Sequence, residues 1–326
     1  MREPAIVLAL CCATAIGVIA LLRLHARRLP QATPNARSMH DGSVPRAGGL
    51  AILAGIFVAS LLVPPDVPGS VWLWLAAVVA VATISFADDV RGVSAAWRLA
   101  VQFAAALIVA VQLGSAAVAP WATLAFAIGI VWGANLFNFM DGSDGLAASM
   151  AITGFSAYAA AAALAGASWL PFAAIAVAVA PFFVANRPRA SMFMGDVGAV
   201  PLGFLAAALG VAGVMQATWP PWFPVLVFLP FVADATLTLV ARVLRGEPVW
   251  QAHRSHFYQR LNALGAGHRG TLAIYGGLML ASAALALACL VLAPRGGTLA
   301  LAAALAVHLA GFGLIDYHWR KKQAAT

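Results

Sequence analysis

Long apolar runs separated by short polar breaks set the pattern of this chain. A helix that crosses hydrocarbon needs about 20 apolar residues. Eleven such runs can be placed, at about 4–22, 47–63, 70–87, 97–113, 120–138, 146–166, 168–185, 199–215, 222–241, 271–293 and 298–316. Hydrocarbon offers no partner for a backbone N–H or C=O, so runs of this length must satisfy their own hydrogen bonds as helices. The pattern predicts an all-α polytopic membrane protein, a bundle of about 11 transmembrane helices forming one domain over residues 1–326. No internal repeat, low-complexity tail or soluble domain interrupts it.

The breaks alternate in character. Pro64 to Ser70, Gly114 to Pro120, Ala165 to Trp169, Gln216 to Pro221 and Pro294 to Gly297 are short and nearly uncharged. The other set carries 17 of the 19 Lys and Arg residues, leaving only Arg2 and Arg295 on the bland side. Basic residues gather on the cytoplasmic side of inner-membrane proteins. The expected topology therefore puts the amino terminus outside and the carboxyl terminus inside a bacterial inner membrane. The first run is preceded by Arg2 but has full spanning length and no small-residue cleavage site, so it reads as a retained helix rather than a signal peptide. Trp72, Trp74, Trp121, Trp169, Trp219 and Trp222 fall near outer span ends, where an interfacial aromatic belt is expected.

Composition agrees: 63% of residues are hydrophobic, 9% are charged, and the mean hydropathy is +0.92. The net charge of +8 is explained by topology and attraction to anionic membrane lipids, so nucleic acid is not an expected partner. Cys11, Cys12 and Cys289 lie within spans and lack the paired spacing of a metal or disulfide framework.

Against this background the acidic residues stand out. Asn135 to Ala147 reads N-L-F-N-F-M-D-G-S-D-G-L-A and places Asp141 and Asp144 beside two amides, Asn135 and Asn138. Gly142 and Gly145 make its end a turn. The third run closes with Phe86-Ala-Asp88-Asp89-Val-Arg91-Gly92, adjacent carboxylates at the helix end that already carries partial negative charge. Something cationic must offset them, either Arg91 in a simple surface turn or a divalent metal. A further segment reads Phe193-Met-Gly-Asp196-Val-Gly198, and another Ala252-His-Arg-Ser-His256-Phe-Tyr-Gln-Arg-Leu. All four clusters follow odd-numbered runs and so fall on one face, the cytoplasmic one in the expected orientation. The loop from Ser38 to Gly49 adds His40, Arg46 and the Gly48-Gly49 pair, read either as a basic topogenic loop or as part of an anion-binding rim.

Five carboxylates held close repel one another unless a cation intervenes. Magnesium suits carboxylate and amide oxygens that meet a phosphate, because it keeps few protein ligands. Arg and His donors nearby suit a diphosphate. Together these are the parts of a phosphoryl-transfer site, where positioning and charge neutralisation carry most of the catalysis. No G-x-x-x-x-G-K-[ST] loop is present, which argues against an ATP motor.

The motifs F-A-D-D-V-R-G, N-x-x-N-F-M-D-G-x-D-G-L-A, F-M-G-D-V-G and A-H-R-S-H-F-Y-Q-R-L resemble those of the polyprenyl-phosphate N-acetylhexosamine-1-phosphate transferases, nearest the branch that initiates O-antigen and related glycans. The peptidoglycan branch, which transfers phospho-N-acetylmuramoyl-pentapeptide, carries adjacent histidines in its last loop, and this chain does not. The resemblance implies transfer of a sugar 1-phosphate from a UDP-N-acetylhexosamine to undecaprenyl phosphate, with magnesium or alternatively manganese. It implies that Asp88 and Asp89 handle the lipid phosphate, with Asp88 the candidate base, and that Asp196 and Asn138 hold the metal. Asp141 and Asp144 would lie around the nucleotide and metal. His253, Arg254 and His256, with His40 and Arg46 at the rim, would contact the diphosphate and sugar. Two positions depart from the pattern: Gly92 stands where many relatives carry a third polar residue, and Arg187 where many carry an aromatic.

Asp234, inside the ninth run, reads equally as a packing group bonded to Thr236 or a neighbouring helix and as part of a lipid groove. His308 reads as a satisfied interior histidine. The competing function is secondary transport of an anionic solute, which would place ionisable groups near the bilayer midplane within inverted repeats.

Overall fold

A computed structural model describes residues 3–32, 44–114, 119–248 and 253–324. Each of the eleven apolar runs is helical there. The helices are α1 (Pro4–Leu24), α2 (Gly48–Leu62), α3 (Val71–Arg91), α4 (Ala95–Leu113), α5 (Pro120–Met140), α6 (Leu146–Leu164), α7 (Leu170–Asn186) and α8 (Asp196–Met215). They continue with α9 (Trp222–Val227), α10 (Leu229–Leu244), the short α11 (Phe257–Leu261), α12 (Gly267–Leu292) and α13 (Gly297–Ala324). A two-residue strand pair, β1 (Gln31–Ala32) with β2 (Val44–Pro45), precedes α2. The protein is an all-α polytopic membrane protein.

Eight of the helices, taken with their continuations, are long and apolar enough to cross a membrane; α2 and α7 are shorter, at 15 and 17 residues. The ninth run is not one helix. It breaks at Phe228 into α9 and α10, because Pro230 has no amide to donate to the Leu226 carbonyl and its ring crowds that carbonyl.

The bundle is built around α8, which packs against α5, α3, α2 and α4. Small residues let the backbones approach, as is usual between helices in lipid. A Cβ added at Gly203 of α8 would lie 2.2 Å from the Gly133 carbonyl oxygen of α5, and one at Gly49 of α2 would lie 2.3 Å from Gly198 of α8. This revises the reading of the Gly48-Gly49 pair. Their amides donate to the carbonyls of Phe193 and Met194, and the close approach is to a helix backbone rather than to a ligand.

The tryptophan belt is also only half right. Trp72, Trp121 and Trp169 are exposed, but Trp74, Trp219 and Trp222 are buried. Trp219 stacks on Tyr158 at 4.8 Å and donates to the Gly210 carbonyl, inside an aromatic cluster with Phe172 and Phe223.

Candidate active site

The end of α3, the starts of α2, α4 and α8, and the end of α5 meet at one end of the bundle. Asp88 and Asp89 occupy the last turn of α3, where the helix dipole is unfavourable to them. Arg98 occupies the first turn of α4, where it too has the wrong sign for its own helix. The two misfits compensate each other: Arg98 Nη1 lies 2.5 Å from Asp88 Oδ2 and 3.3 Å from Asp196 Oδ2. Arg91, the cation expected beside the pair, is exposed and forms none of these contacts.

Asp196 begins α8, where the positive end of the helix favours a carboxylate. Its Oδ1 lies 3.1 Å from Arg46 Nη2, and its Oδ2 accepts from Asn138 Nδ2 at 3.0 Å. Arg46 also approaches Asp89 Oδ1 at 3.2 Å, without hydrogen-bond alignment, so that buried oxygen lacks a donor among the described residues. Asp89 Oδ2 accepts from the Val197 amide, and Asp88 Oδ1 from the Val93 amide. Gly195 is required here. Its φ is +74°, and a Cβ would lie 2.7 Å from Asp89 Oδ2. The result is a ring in which Arg46 bridges Asp89 and Asp196 while Arg98 bridges Asp88 and Asp196.

The turn after α5 completes this corner. Asn138 is the last helical residue to reach the ring, whereas Asn135 turns inward to Gln102 and the Val131 carbonyl and takes no part. Asp141 caps α5 and makes no side-chain hydrogen bond among the described residues. Burial pushes its carboxyl well above the usual carboxylate range; Arg46 opposes that, and Asp196, Asp89 and Asp144 add to it. Asp144 holds the loop after α7: its Oδ2 accepts from the amides of Arg189 and Ala190. His268 Nδ1 lies 3.5 Å from Asp144 Oδ1, but it also accepts the Asp144 amide at 3.1 Å. A ring nitrogen that accepts cannot donate to the carboxylate, so we read this contact as no charge pair. Asn186 joins the two loops, accepting from the Gly145 amide and donating to the Met192 carbonyl.

The last motif loop docks on the same turn. Tyr258 Oη donates to the Phe139 carbonyl, and His256 packs beside the Phe139 ring at 5.9 Å. His253 stacks on His256 at 4.9 Å; burial, then the charges of His256 and Arg242, lower its pKa to about 4. Arg254 is exposed on this loop, and His40 lies outside the described residues. Asp234 is fully buried and bonds Thr238, not Thr236. His308 gives Nδ1 to the Ala304 carbonyl, while its Nε2 is buried without a partner among the described residues.

Sequence reasoning missed Arg98, counted only as a basic loop residue; a cation in the first turn of a helix was the available signal. Among the described residues no three His, Cys, Asp or Glu side chains are placed to hold one ion. Two guanidinium groups instead sit among the carboxylates. If all are ionised, Asp88, Asp89 and Asp196 against Arg46 and Arg98 leave one net negative charge.

The fold and this corner define a class: a membrane bundle with an acid, amide and arginine site at one end of its helices. Residues 71–214, which carry three of the motifs, match the model of glycosyl transferase family 4. The chain is 28% identical over 264 residues to a probable undecaprenyl-phosphate N-acetylglucosaminyl 1-phosphate transferase of Bacillus subtilis, covering 74% of this chain and 72% of that protein. It is 28% identical over 306 residues to a decaprenyl-phosphate N-acetylglucosaminephosphotransferase of Mycobacterium leprae, covering 78% and 75%. A phospho-N-acetylmuramoyl-pentapeptide-transferase of Thermotoga neapolitana aligns at 33% identity over only 38% of this chain and 39% of that protein. Along most of its length the chain is similar to polyprenyl-phosphate N-acetylglucosaminyl 1-phosphate transferases, and its middle part to glycosyl transferase family 4.

Proposed function

We propose that this protein transfers an N-acetylhexosamine 1-phosphate from a UDP-sugar to undecaprenyl phosphate. The products are undecaprenyl-diphosphate-sugar and UMP. The lipid phosphate oxygen attacks the sugar-bearing phosphorus of the UDP-sugar, and the bond from that phosphorus to the bridging oxygen breaks, so that oxygen leaves with UMP. N-acetylglucosamine is the sugar we favour, because it is named in the relatives that align along most of the chain. The reaction would take place at the cytoplasmic face of a bacterial inner membrane and begin an O-antigen or related cell-envelope polysaccharide.

The ring of Asp88, Arg98, Asp196, Arg46 and Asp89 carries this reading. Its position at one end of the helices suits a substrate whose tail lies in lipid and whose phosphate lies at the surface. Asp88, held from both sides by the Val93 amide and Arg98, is fixed in orientation to align an attacking phosphate. Arg46 and Arg98 offer donors to phosphate oxygens.

Magnesium fits the remaining donors. Asn138 uses its Nδ2 on Asp196, which leaves the amide oxygen for an ion held with Asp196. The buried Asp89 Oδ1 without a donor and the charge deficit point the same way. When bound, the ion would neutralise the diphosphate. Transport is less well matched, because the ring sits at helix ends rather than at broken helices in mid-bundle.

The test is UMP release by the purified protein with undecaprenyl phosphate and magnesium, across a panel of UDP-N-acetylhexosamines. Lipid-dependent release that Asp196→Asn abolishes is expected. A folded protein that releases UMP from no donor would overturn the reading.

A further inference from the structure

Asp234 is the most heavily used side chain outside the ring. It is fully buried in α10, six residues past the Phe228 break, and five donors converge on its two oxygens. Oδ1 accepts from Thr238 Oγ1 at 3.2 Å, His256 Nδ1 at 3.2 Å and the Phe257 amide at 3.0 Å. Oδ2 accepts from the Tyr258 amide at 3.0 Å and Tyr275 Oη at 2.5 Å. Three of the five come from residues 256–258, the hinge between the histidine loop and α11. A buried carboxylate is retained only where its lone pairs are met. Here the groups that meet them are the loop itself.

The consequence for His256 is specific. Its Nδ1 faces a carboxylate that already accepts from backbone amides, so Nδ1 is the donor and Nε2 is the nitrogen left for other chemistry. The ring is held in place by Phe139 at 5.9 Å, His253 at 4.9 Å and Tyr258 at 5.9 Å. Tyr258 in turn bonds the Phe139 carbonyl, one residue from Asn138. Fixing a histidine tautomer through the hydrogen bond on its other nitrogen is a general way to orient the ring for work.

We propose that Asp234 is a positioning residue of the transfer site, holding His256 as the Nδ1–H tautomer so that Nε2 faces the diphosphate-bearing substrate as an acceptor or proton carrier. The proposal rests on the transferase reading for its catalytic part, and its structural part stands without it.

The first experiment needs no substrate. Nitrogen-15 spectra of histidine-labelled protein, with His256 assigned by its loss in His256→Gln, should show His256 protonated at Nδ1; an Nε2–H ring would overturn the proposal whether or not Asp234 variants fold. The second is a double-mutant cycle on UMP release. Asp234→Asn is expected to lower kcat by about ten- to a hundredfold in the wild type but by less than about threefold in the His256→Gln background, because one acts through the other. The KM for the UDP-sugar should stay within about threefold in both. An equal loss of kcat in both backgrounds would make Asp234 a structural group only and refute the routing through His256. Absence of UMP release from the wild type would sink the reaction reading instead, leaving the tautomer result intact.

Discussion

The contact between Gly49 and Gly198 makes the sharpest demand on sequence, and Gly49→Ala tests it. A Cβ at position 49 would lie 2.3 Å from Gly198 Cα and backbone nitrogen, where ordinary contact begins at 3.4 Å. Both partners are helix backbone, so no side chain can swing aside. The two helices must separate by about 1.1 Å, the difference between those distances. Arg46 lies three residues before Gly49 and moves with the start of α2. Its 3.1 Å contact to Asp196 and 3.2 Å contact to Asp89 then open to about 4.2 and 4.3 Å, too long for an ion pair. Overpacking of this kind costs about 1–3 kcal/mol, and a displacement of about 1 Å at a catalytic group can cost on the order of 100-fold in rate. UMP release and thermal unfolding in the same detergent measure both effects. Gly17→Ala serves as control, since nothing lies within 4 Å of its added Cβ. A Gly49→Ala protein with the control's rate and unfolding temperature would refute the claim that this contact sets the Arg46 pairing.

Other perturbations follow from the same geometry. Arg98→Met removes the cation between Asp88 and Asp196 while keeping a similar apolar stem; UMP release should fall by at least about 100-fold and the folded protein lose about 3 kcal/mol, read by rate and by denaturant unfolding. Asn186→Ala leaves the Gly145 amide and the Met192 carbonyl without their partner, and should cost roughly 2–4 kcal/mol in the same unfolding assay. His253 titrates near 4 when folded and near 6.5 when unfolded, so the unfolded chain binds the extra proton between those values. Stability should therefore be complete above about pH 6.5 and fall as pH drops toward 4, and His253→Gln should flatten that fall in unfolding measured against pH.

The spans were legible because their length and lack of charge are set by the thickness of hydrocarbon, and all eleven runs are helical where described. The acidic motifs were legible because carboxylates are scarce in such a chain. The pairing of Asp88, Asp89 and Asp196 with Arg46 and Arg98 was not, since it joins residues up to 150 apart in sequence. The hold of Asp144 on the loop after α7 was not legible either, since it depends on the backbone amides of Arg189 and Ala190 and leaves no mark in residue type. Asp234 was half legible: its depth in an apolar run marked it as unusual, but Thr238 and the α11 amides were found only in three dimensions.

By itself, then, the sequence determined that the chain is a membrane bundle, which residues could form polar chemistry there, and that these gather on one side. Tertiary structure decided which helix is the core. The most apolar stretches of α8 and α13 have the same hydropathy, 2.0, yet 83% of the first is buried in the bundle and 11% of the second. Lipid tails are as apolar as a protein interior, so hydrophobicity cannot tell the two environments apart. What separates them is the fit of glycine against backbone and of carboxylate against guanidinium, and those are properties of neighbours brought together by folding.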